Sequence, residues 1–165
     1  MTVLVHGVLG GVGTVAAQLA AWGGATVIGT VRRLDDLDRV PPGVDHAVAL
    51  DRGDAAGAIR AHAPEGVDRI VEVAFSDNVD LDASVAKNQT VIAPYASRGD
   101  RPAFPFWPLV FDNVTIRLLG SDDFPAGAKR QAAADLTAAA QDGALSIPID
   151  AVLPLCISRR GPRPD

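Results

Sequence analysis

A glycine-rich stretch near the N-terminus carries the clearest chemical pattern in the sequence: residues 6–13 read HGVLGGVG. An apolar run precedes it, and an alanine-rich segment with helical spacing follows it. Side chains are excluded where a pyrophosphate must approach the backbone closely, and phosphates gain from the free N–H groups and positive end of the following helix. The last glycine lets that helix pack closely on the strand. The pattern predicts a dinucleotide site, with a tight turn that binds no ligand as the alternative.

The residues after the second apolar run indicate which dinucleotide this site would take. Sites for NAD usually carry an acidic residue about 20 residues past the glycine turn, where it binds the ribose 2′-hydroxyl. Here that place reads GTVRR, and no carboxylate comes before Asp35. The planar donors of Arg32 and Arg33 suit the 2′-phosphate of NADP. The alternative is that one or both arginines only pair on the surface with Asp35, Asp36 or Asp38.

Other catalytic and metal-binding patterns are weak. Cys156 is the single cysteine, which excludes an internal disulfide and a multi-cysteine metal site. The three histidines lack a metal-ligand spacing, so we predict no metal site and expect each to be structural or exposed; they are His6, His46 and His62. Glu72 lies inside an apolar strand. It is either a buried carboxylate bonded to the backbone near the cofactor or part of a polar layer at the strand end.

Length and composition are those of a single globular domain. The chain has 165 residues, of which 48% are hydrophobic and 21% are charged. Its net charge of −5 argues against general binding to nucleic acid. No apolar run approaches the roughly 18 residues of a membrane span, and the N-terminus lacks the basic leader of a signal peptide. We therefore expect a cytoplasmic protein that binds neither nucleic acid nor membrane.

Strand-like and helix-like segments alternate six times along the chain, which favours a parallel sheet with helices on both faces. Right-handed crossovers then favour a doubly wound α/β fold with six parallel strands in the nucleotide-binding order 3-2-1-4-5-6. Its ligand would lie across the carboxyl ends of strands 1 and 4. The predicted strands cover residues 3–5, 25–30, 47–50, 67–75, 90–95 and 114–119.

Two of the predicted helices have a definite inner face. The helix over residues 54–63 turns Ile59 inward, and the last helix has the stronger end signals. Asp122 or Asp123 is predicted to cap that last helix, with Pro125 in its first turn and Gly143 at its end. Its predicted inner face consists of Ala132, Leu136 and Ala140.

The spacing of the glycines fits two dehydrogenase superfamilies. Gly7, Gly11 and Gly13 match the G-x-x-x-G-x-G of short-chain dehydrogenases, which need a Tyr-x-x-x-Lys pair for proton donation. The single tyrosine is Tyr95, and Gly99 stands four residues after it. That chemistry is therefore missing from the chain.

The sequence instead resembles the cofactor domain of medium-chain dehydrogenases/reductases, in the zinc-independent quinone oxidoreductase branch. The resemblance covers roughly residues 2–155 and rests on VLVHGVLGGVGTVAAQLAAWGGATVIGTV, VDRIVEVAF, and FDNVTIRLLGSDDFP followed by AKRQAAADLTAAAQDGAL. It implies a Rossmann fold and an NADPH-dependent reductase that acts on quinones or activated enones without zinc. In such a reductase the nicotinamide transfers a hydride to the electrophilic carbon of a conjugated carbonyl.

The resemblance also implies cofactor contacts, which fall at the carboxyl ends of the strands. After the turn opened by Gly7, the residues that meet the pyrophosphate are Gly10, Gly11, Val12 and Gly13. The residues near the adenosine ribose are Thr30, Arg32 and Arg33. Those that border the nicotinamide side are Ala74 and Phe75, ending strand 4, and Tyr95, Ala96 and Ser97, ending strand 5. The alternative for Tyr95 is a packing residue with its hydroxyl in water.

The chain departs from this family at both ends. Family members begin with a separate GroES-like substrate domain, whereas strand 1 here begins at the second residue, so we predict a cofactor domain over residues 1–155 without that partner domain. Residues 156–165 are predicted to form a disordered tail. The missing domain leaves an alternative function open: a catalytically silent NADP-binding module, either a redox sensor or a truncated remnant. A Rossmann-like interaction domain without a ligand is a third possibility.

Family dimers commonly pair through strand 6, so we predict a homodimer that pairs there. An unpaired apolar edge strand is a liability, which supports this expectation. A proline-rich loop before strand 6 carries five large apolar residues that either pack on their own sheet or form a patch for the missing domain or a second subunit. These residues are Phe104, Phe106, Trp107, Leu109 and Phe111.

Overall fold

Six parallel strands form one twisted sheet in the computed structural model, which describes residues 1–149 and 151–154. The strands are β1 (Thr2–Val5), β2 (Thr26–Val31), β3 (His46–Ala49), β4 (Val67–Glu72), β5 (Ala86–Pro94) and β6 (Thr115–Ile116). Their order across the sheet is β3-β2-β1-β4-β5-β6, and every neighbouring pair is parallel. The predicted doubly wound sheet is confirmed, and its order reverses between β1 and β4.

The described residues also form five α-helices and three short 3₁₀ helices, of which the last 3₁₀ helix and the last α-helix follow β6. The α-helices are α1 (Gly11–Trp22), α2 (Ala55–His62), α3 (Phe75–Val85), α4 (Phe106–Phe111) and α5 (Ala126–Gln141). The 3₁₀ helices cover Leu34–Arg39, Leu50–Arg52 and Ser121–Asp123. No helix in the described part of the chain is long and apolar enough to cross a membrane.

The sheet is covered on both faces because consecutive residues of each strand point to opposite sides. In β1, Leu4 joins Ile59 of α2 and Val79 of α3 in one apolar cluster. Val5 joins Ala17 of α1 in a second cluster on the other face. The inward position predicted for Ile59 is confirmed, since its side chain is fully buried.

The predicted end of strand 4 is wrong. The strand stops at Glu72, and Phe75 is the first residue of α3. The backbone N–H groups of Asp77 and Asn78 both donate to the carbonyl of Ala74, which opens the helix. The Phe75 side chain is 4% exposed and packs in the apolar cluster with α2. An apolar run that passes from a strand into a buried helix has no periodicity that marks the junction.

The predictions for the last helix are partly wrong. Asp122 and Asp123 lie in a 3₁₀ helix before it, and α5 begins after Pro125 without a side-chain cap. Gly143 follows its end with a φ of 71°, as expected for a helix stop. The predicted inner face is exposed, and Ala139 is the buried residue of the helix. Among the described residues, α5 contacts α1, and Trp22 of α1 donates a hydrogen bond to Asp142 directly after the end of α5.

The aromatic loop contains a short helix that the sequence did not predict. Leu109 of α4 is 5% exposed and packs in the core. The four aromatic residues around it remain exposed to between 48% and 75%: Phe104, Phe106, Trp107 and Phe111. Of the five apolar residues for which packing on the sheet was one alternative, Leu109 therefore packs in the core and the other four do not. Cys156, the predicted boundary at residue 155 and the predicted tail all lie outside the described residues.

Candidate cofactor site

The glycine turn after β1 is held in a shape that glycines permit. Gly7 has a φ of 66°, a left-handed conformation that glycine adopts without steric cost, and its carbonyl accepts a hydrogen bond from the N–H of Gly10 at 2.9 Å. A Cβ atom on Gly13 would collide with the backbone oxygen of Gly7. The last glycine of the motif therefore lets α1 start directly against the turn.

The N-terminus of α1 is open to an anion. Its first residues leave N–H groups without partners inside the helix. The residue before the helix is Gly10, so no side chain caps these groups, and the first turn holds no acidic residue. Gly11 is exposed with open space beside it, and Val12 is 57% exposed. This terminus has the free donors and the partial positive charge that phosphates require.

A cleft of about 580 Å³ opens at the carboxyl ends of β1, β2 and β4, where the strand order reverses. Its floor includes His6, Gly7 and Gly10. We call one side the β2 wall, which consists of Thr30, Val31, Arg32, Arg33, Asp36 and Arg39. We call the opposite side the β4 wall, which consists of Val73, Ala74, Asp77 and Asn78. Leu9 and Leu50 complete the lining.

The cleft brings together six of the predicted cofactor residues: Gly7, Gly10, Thr30, Arg32, Arg33 and Ala74. Ala74, predicted for the nicotinamide side, lines this cleft together with the arginines. The other predicted residues lie outside this lining: Gly11, Val12, Gly13, Phe75, Tyr95, Ala96 and Ser97. Gly11, Val12 and Gly13 adjoin the cleft as the first residues of α1.

An aspartate on the β2 wall forms ion pairs with two arginines of the same wall. Arg33 Nε lies 3.3 Å from one oxygen of Asp36, and Arg39 Nη1 lies 3.1 Å from the other. The hydrogen bond from Arg33 is the largest cause that lowers the pKa of Asp36, and Arg39 adds to it. Surface pairing was the alternative considered for Arg33, and the structure shows it. That Arg39 lines the cleft was not predicted from the sequence. The feature of the sequence that could have indicated its ion pair is the i,i+3 spacing from Asp36.

Arg32 differs from its neighbour. It is exposed and lines the cleft. Within the residues that the structure describes, its guanidinium makes no ion pair or hydrogen bond. It is therefore a free planar cation at the end of β2, the place where an NAD site carries a carboxylate.

Three buried titratable side chains lie beneath the cleft. His6, Glu72 and Asp82 are each at most 1% exposed. His6 Nε2 lies 2.9 Å from Asp82 Oδ1 and 3.5 Å from Glu72 Oε2. Its other ring nitrogen lies 3.0 Å from the Thr30 hydroxyl, which also accepts the N–H of Gly7. We call His6, Glu72 and Asp82 the buried cluster.

The three donor groups of the buried cluster lie within 4.8 Å of one another, a spacing that a metal ion accepts. The histidine–aspartate distance is that of an ordinary hydrogen bond, so the geometry needs no ion to explain it. Within the described residues, Asp82 Oδ2 is a buried oxygen without a hydrogen-bond donor. We interpret the cluster as a hydrogen-bonded support that ties β1, β4 and α3 together below the cleft.

Glu72 connects this support to the β4 wall. Its carboxylate accepts hydrogen bonds from the Ala74 N–H and from the Asn78 side chain, whose nitrogen lies 3.1 Å from both oxygens. Burial is the main cause that raises the pKa of Glu72, the charge of Asp82 raises it further, and His6 opposes both. The backbone bond to Ala74 agrees with the first of the two sequence interpretations, that Glu72 is a buried carboxylate bonded to the backbone.

The residues after β5 lie beside the β4 wall rather than in the cleft. The Tyr95 N–H donates to the Glu72 carbonyl at 3.0 Å. Burial raises the pKa of the Tyr95 hydroxyl, with a smaller contribution from the Glu72 charge. The Ala96 carbonyl accepts the Phe75 N–H, and the Ser97 hydroxyl accepts the Ser76 N–H. These bonds fix the segment after β5 against the first turn of α3.

Solved structures share this fold, although no protein-family model and no curated protein matches the sequence. CurA from Vibrio vulnificus, solved in complex with NADPH, superposes with a TM-score of 0.75 at 18% identity, over 88% of this chain and 47% of that one. A quinone oxidoreductase from Pseudomonas syringae pv. tomato gives a TM-score of 0.75 at 17% identity, over 88% and 47%. An alcohol dehydrogenase superfamily protein from Novosphingobium aromaticivorans gives 0.69 at 27% identity, over 87% and 44%.

This chain spans about half the length of those proteins. The chain therefore has the fold of about half of each of these structures, which confirms the fold that the resemblance found in the sequence implied.

Proposed function

We propose that this chain is the NADP(H)-binding domain of a quinone oxidoreductase-like reductase. The observation that carries the proposal is the free guanidinium of Arg32 in the same cleft as the glycine turn. The cleft lies where the strand order reverses, which is where open α/β sheets bind nucleotides. CurA, which shares the fold, was solved in complex with NADPH.

The residues present fit such a cofactor. The uncapped N-terminus of α1 would receive the pyrophosphate, where Gly13 keeps the helix close to the turn. Arg32 would bind the 2′-phosphate, and Arg33 is within the same wall. Because Ala74 lines the cleft with these arginines, we assign it to the adenosine half. Tyr95, Ala96 and Ser97 remain proposed for the nicotinamide side.

The reaction that we propose is the reduction of a quinone or an activated enone. Bound NADPH would supply the hydride, and the residues of this chain would bind and orient it. The P. syringae protein of the same fold is a quinone oxidoreductase, which supports this substrate class. We also propose a homodimer that pairs through β6, because β6 is an edge strand. Size-exclusion chromatography with light scattering would test the dimer.

A calorimetric titration of the chain with NADPH and with NADH tests the cofactor proposal. We expect NADPH to bind at least tenfold more tightly. Arg32→Ala should weaken NADPH about tenfold and leave NADH unchanged, because a charge-assisted hydrogen bond contributes about 1.5–3 kcal/mol. Arg130→Ala, an exposed arginine on α5, is the matched control and should change neither affinity.

Three outcomes would contradict parts of the proposal. Equal binding of NADPH and NADH would remove the phosphate assignment of Arg32. No binding of either dinucleotide would overturn the proposed function. Binding of NADPH without quinone-dependent oxidation would favour the catalytically silent module over the reductase.

A further inference from the structure

The side chain of Asn78 has a fixed orientation at the edge of the cleft. It lies in the first turn of α3 and belongs to the β4 wall, opposite Arg32 and Arg33. Its side-chain nitrogen lies 3.1 Å from both oxygens of Glu72. The Ala74 N–H already donates to one of these oxygens and both lie at the same distance from the Asn78 amide, so the amide atom that faces Glu72 is the donor nitrogen. The orientation of the Asn78 amide therefore follows from chemistry.

The carboxylate that orients Asn78 is itself immobilised. Glu72 is fully buried, one of its oxygens accepts the Ala74 N–H, and His6 Nε2 lies 3.5 Å from the other. Turning the amide of Asn78 over would place its oxygen against two carboxylate oxygens in a buried setting. Such an arrangement of acceptors is strongly unfavourable. Glu72 is thus a positioning residue for Asn78.

The orientation leaves the Asn78 oxygen for a ligand. Within the described residues, no donor bonds this Oδ1 atom, and it is not among the buried atoms that lack a partner. It is therefore accessible at the edge of the cleft. The neighbouring acceptor, Asp77, is already bonded by Arg98 and by the Ser76 hydroxyl. Asn78 offers the cleft an unpaired acceptor and no donor.

We infer that Asn78 Oδ1 accepts a hydrogen bond from the exocyclic 6-amino group of the adenine ring of the bound cofactor. This inference rests on the proposed function, which places the adenosine 2′-phosphate at Arg32 and hence the base between the two walls. Adenine carries one amine donor on its edge, which complements an acceptor that cannot turn. Hypoxanthine carries a carbonyl oxygen at that position, so two acceptors would face each other.

Titrations with NADPH and with its hypoxanthine analogue, in which the 6-amino group is replaced by oxygen, test the inference. Wild-type protein should bind the analogue about tenfold more weakly, a difference of about 1.4 kcal/mol. Glu72→Gln should reduce this ratio to about threefold or less, because a glutamine can donate as well as accept and the Asn78 amide is then free to turn. Asn78→Ala should reduce it in the same way by removing the acceptor.

Asp80→Asn is the matched control, since Asp80 is exposed on the same helix and does not line the cleft. It should keep the tenfold ratio, and circular dichroism shows whether each variant is folded. Equal binding of both dinucleotides by the wild type would overturn the inference while leaving the proposed function intact. A ratio that survives in folded Asn78→Ala would overturn it too. Failure of both dinucleotides to bind would overturn the proposed function and the inference together.

Discussion

The two walls of the cleft use charged side chains in opposite ways. On the β2 wall the side chains of Arg33 and Arg39 are 70% and 68% exposed, and both pair with Asp36 across three residues of one short helix. Behind the β4 wall, His6 and its two carboxylate partners are at most 1% exposed and come from the turn after β1, from β4 and from α3. The arginines of the β2 wall are open to solvent, whereas the buried cluster behind the β4 wall is closed to it.

This difference in solvent exposure determines whether the charged side chains can rearrange when a ligand binds. Exposed ion pairs contribute about 0–1 kcal/mol, so the arginines of the β2 wall can exchange Asp36 for a phosphate at little cost. Breaking a buried pair by removing one partner costs about 3–5 kcal/mol, so the buried cluster cannot rearrange when a ligand arrives. We infer that the β2 wall binds and the β4 wall holds its shape.

The largest effect should come from removing the histidine of the buried cluster. His6→Ala leaves Glu72 and Asp82 buried without the imidazole that lies between them, and we expect the free energy of unfolding to fall by about 3–5 kcal/mol. Urea denaturation measures this change. His62→Ala is the control, because His62 is exposed and only stacks on His46 with ring centroids 3.9 Å apart. It should change stability by about 0.5 kcal/mol or less.

A small effect of His6→Ala would contradict this contrast between the walls. If it matched the effect of His62→Ala, the two carboxylates would be tolerating burial without the histidine, and the cluster would not be the support that we describe.

A smaller loss of stability should come from a substitution in the glycine turn after β1, which lies on the floor of the cleft between the two walls. Gly13→Ala would drive a Cβ atom into the backbone oxygen of Gly7. We expect a loss of about 1–3 kcal/mol in stability from this overpacking, together with weaker NADPH binding. Gly11→Ala is the control for stability, because its Cβ would meet nothing within 4 Å. Equal stability of the two variants, measured by thermal unfolding, would mean that the turn can relax.

The contrast between the walls also explains what the sequence could predict. The glycine turn and the arginines after strand 2 are local patterns, and both lie in the cleft. The alternation of strands and helices was enough for the sheet order. The buried cluster joins residues that are up to 76 positions apart, so it appears only once the sheet brings β1 beside β4. Sequence reasoning noticed Glu72 but had no means to connect it with His6 and Asp82.

The failures at Phe75 and in α5 have physical causes of a different kind. At Phe75 a strand and a helix are both buried, so apolar residues continue across the boundary without a change of period. In α5 the composition is rich in alanine, and every face of such a helix looks equally apolar. Only the contact of its C-terminal end with α1 decides that Ala139 is buried while Leu136 is 38% exposed.

The smallest expected effect concerns how the free energy of unfolding changes with pH. Asp36 on the β2 wall and Glu72 behind the β4 wall should make contributions of opposite sign. The lowered pKa of Asp36 means that its ion pairs stabilise the folded state above the ordinary value of 3.8, and that this stability is lost as the pH falls through the folded pKa. The raised pKa of Glu72 means the reverse: burying its ionised form costs stability increasingly as the pH rises above the ordinary value of 4.5. The other titratable groups that face Glu72 are His6, Asp82 and Tyr95. They are the same in the wild type and in the Glu72 variant, so their titration does not distinguish the two.

Unfolding free energies measured from acid to neutral pH would therefore give difference curves of opposite slope. Relative to wild type, Asp36→Asn should lose stability as the pH rises, because only the wild type gains the ion pairs with Arg33 and Arg39. Relative to wild type, Glu72→Gln should gain stability as the pH rises, because the variant has no carboxyl to ionise in the interior. A Glu72→Gln curve that stays flat, or that falls together with the Asp36→Asn curve, would mean that Glu72 is well solvated or fully compensated by His6, and the division into an open wall and a closed one would no longer hold.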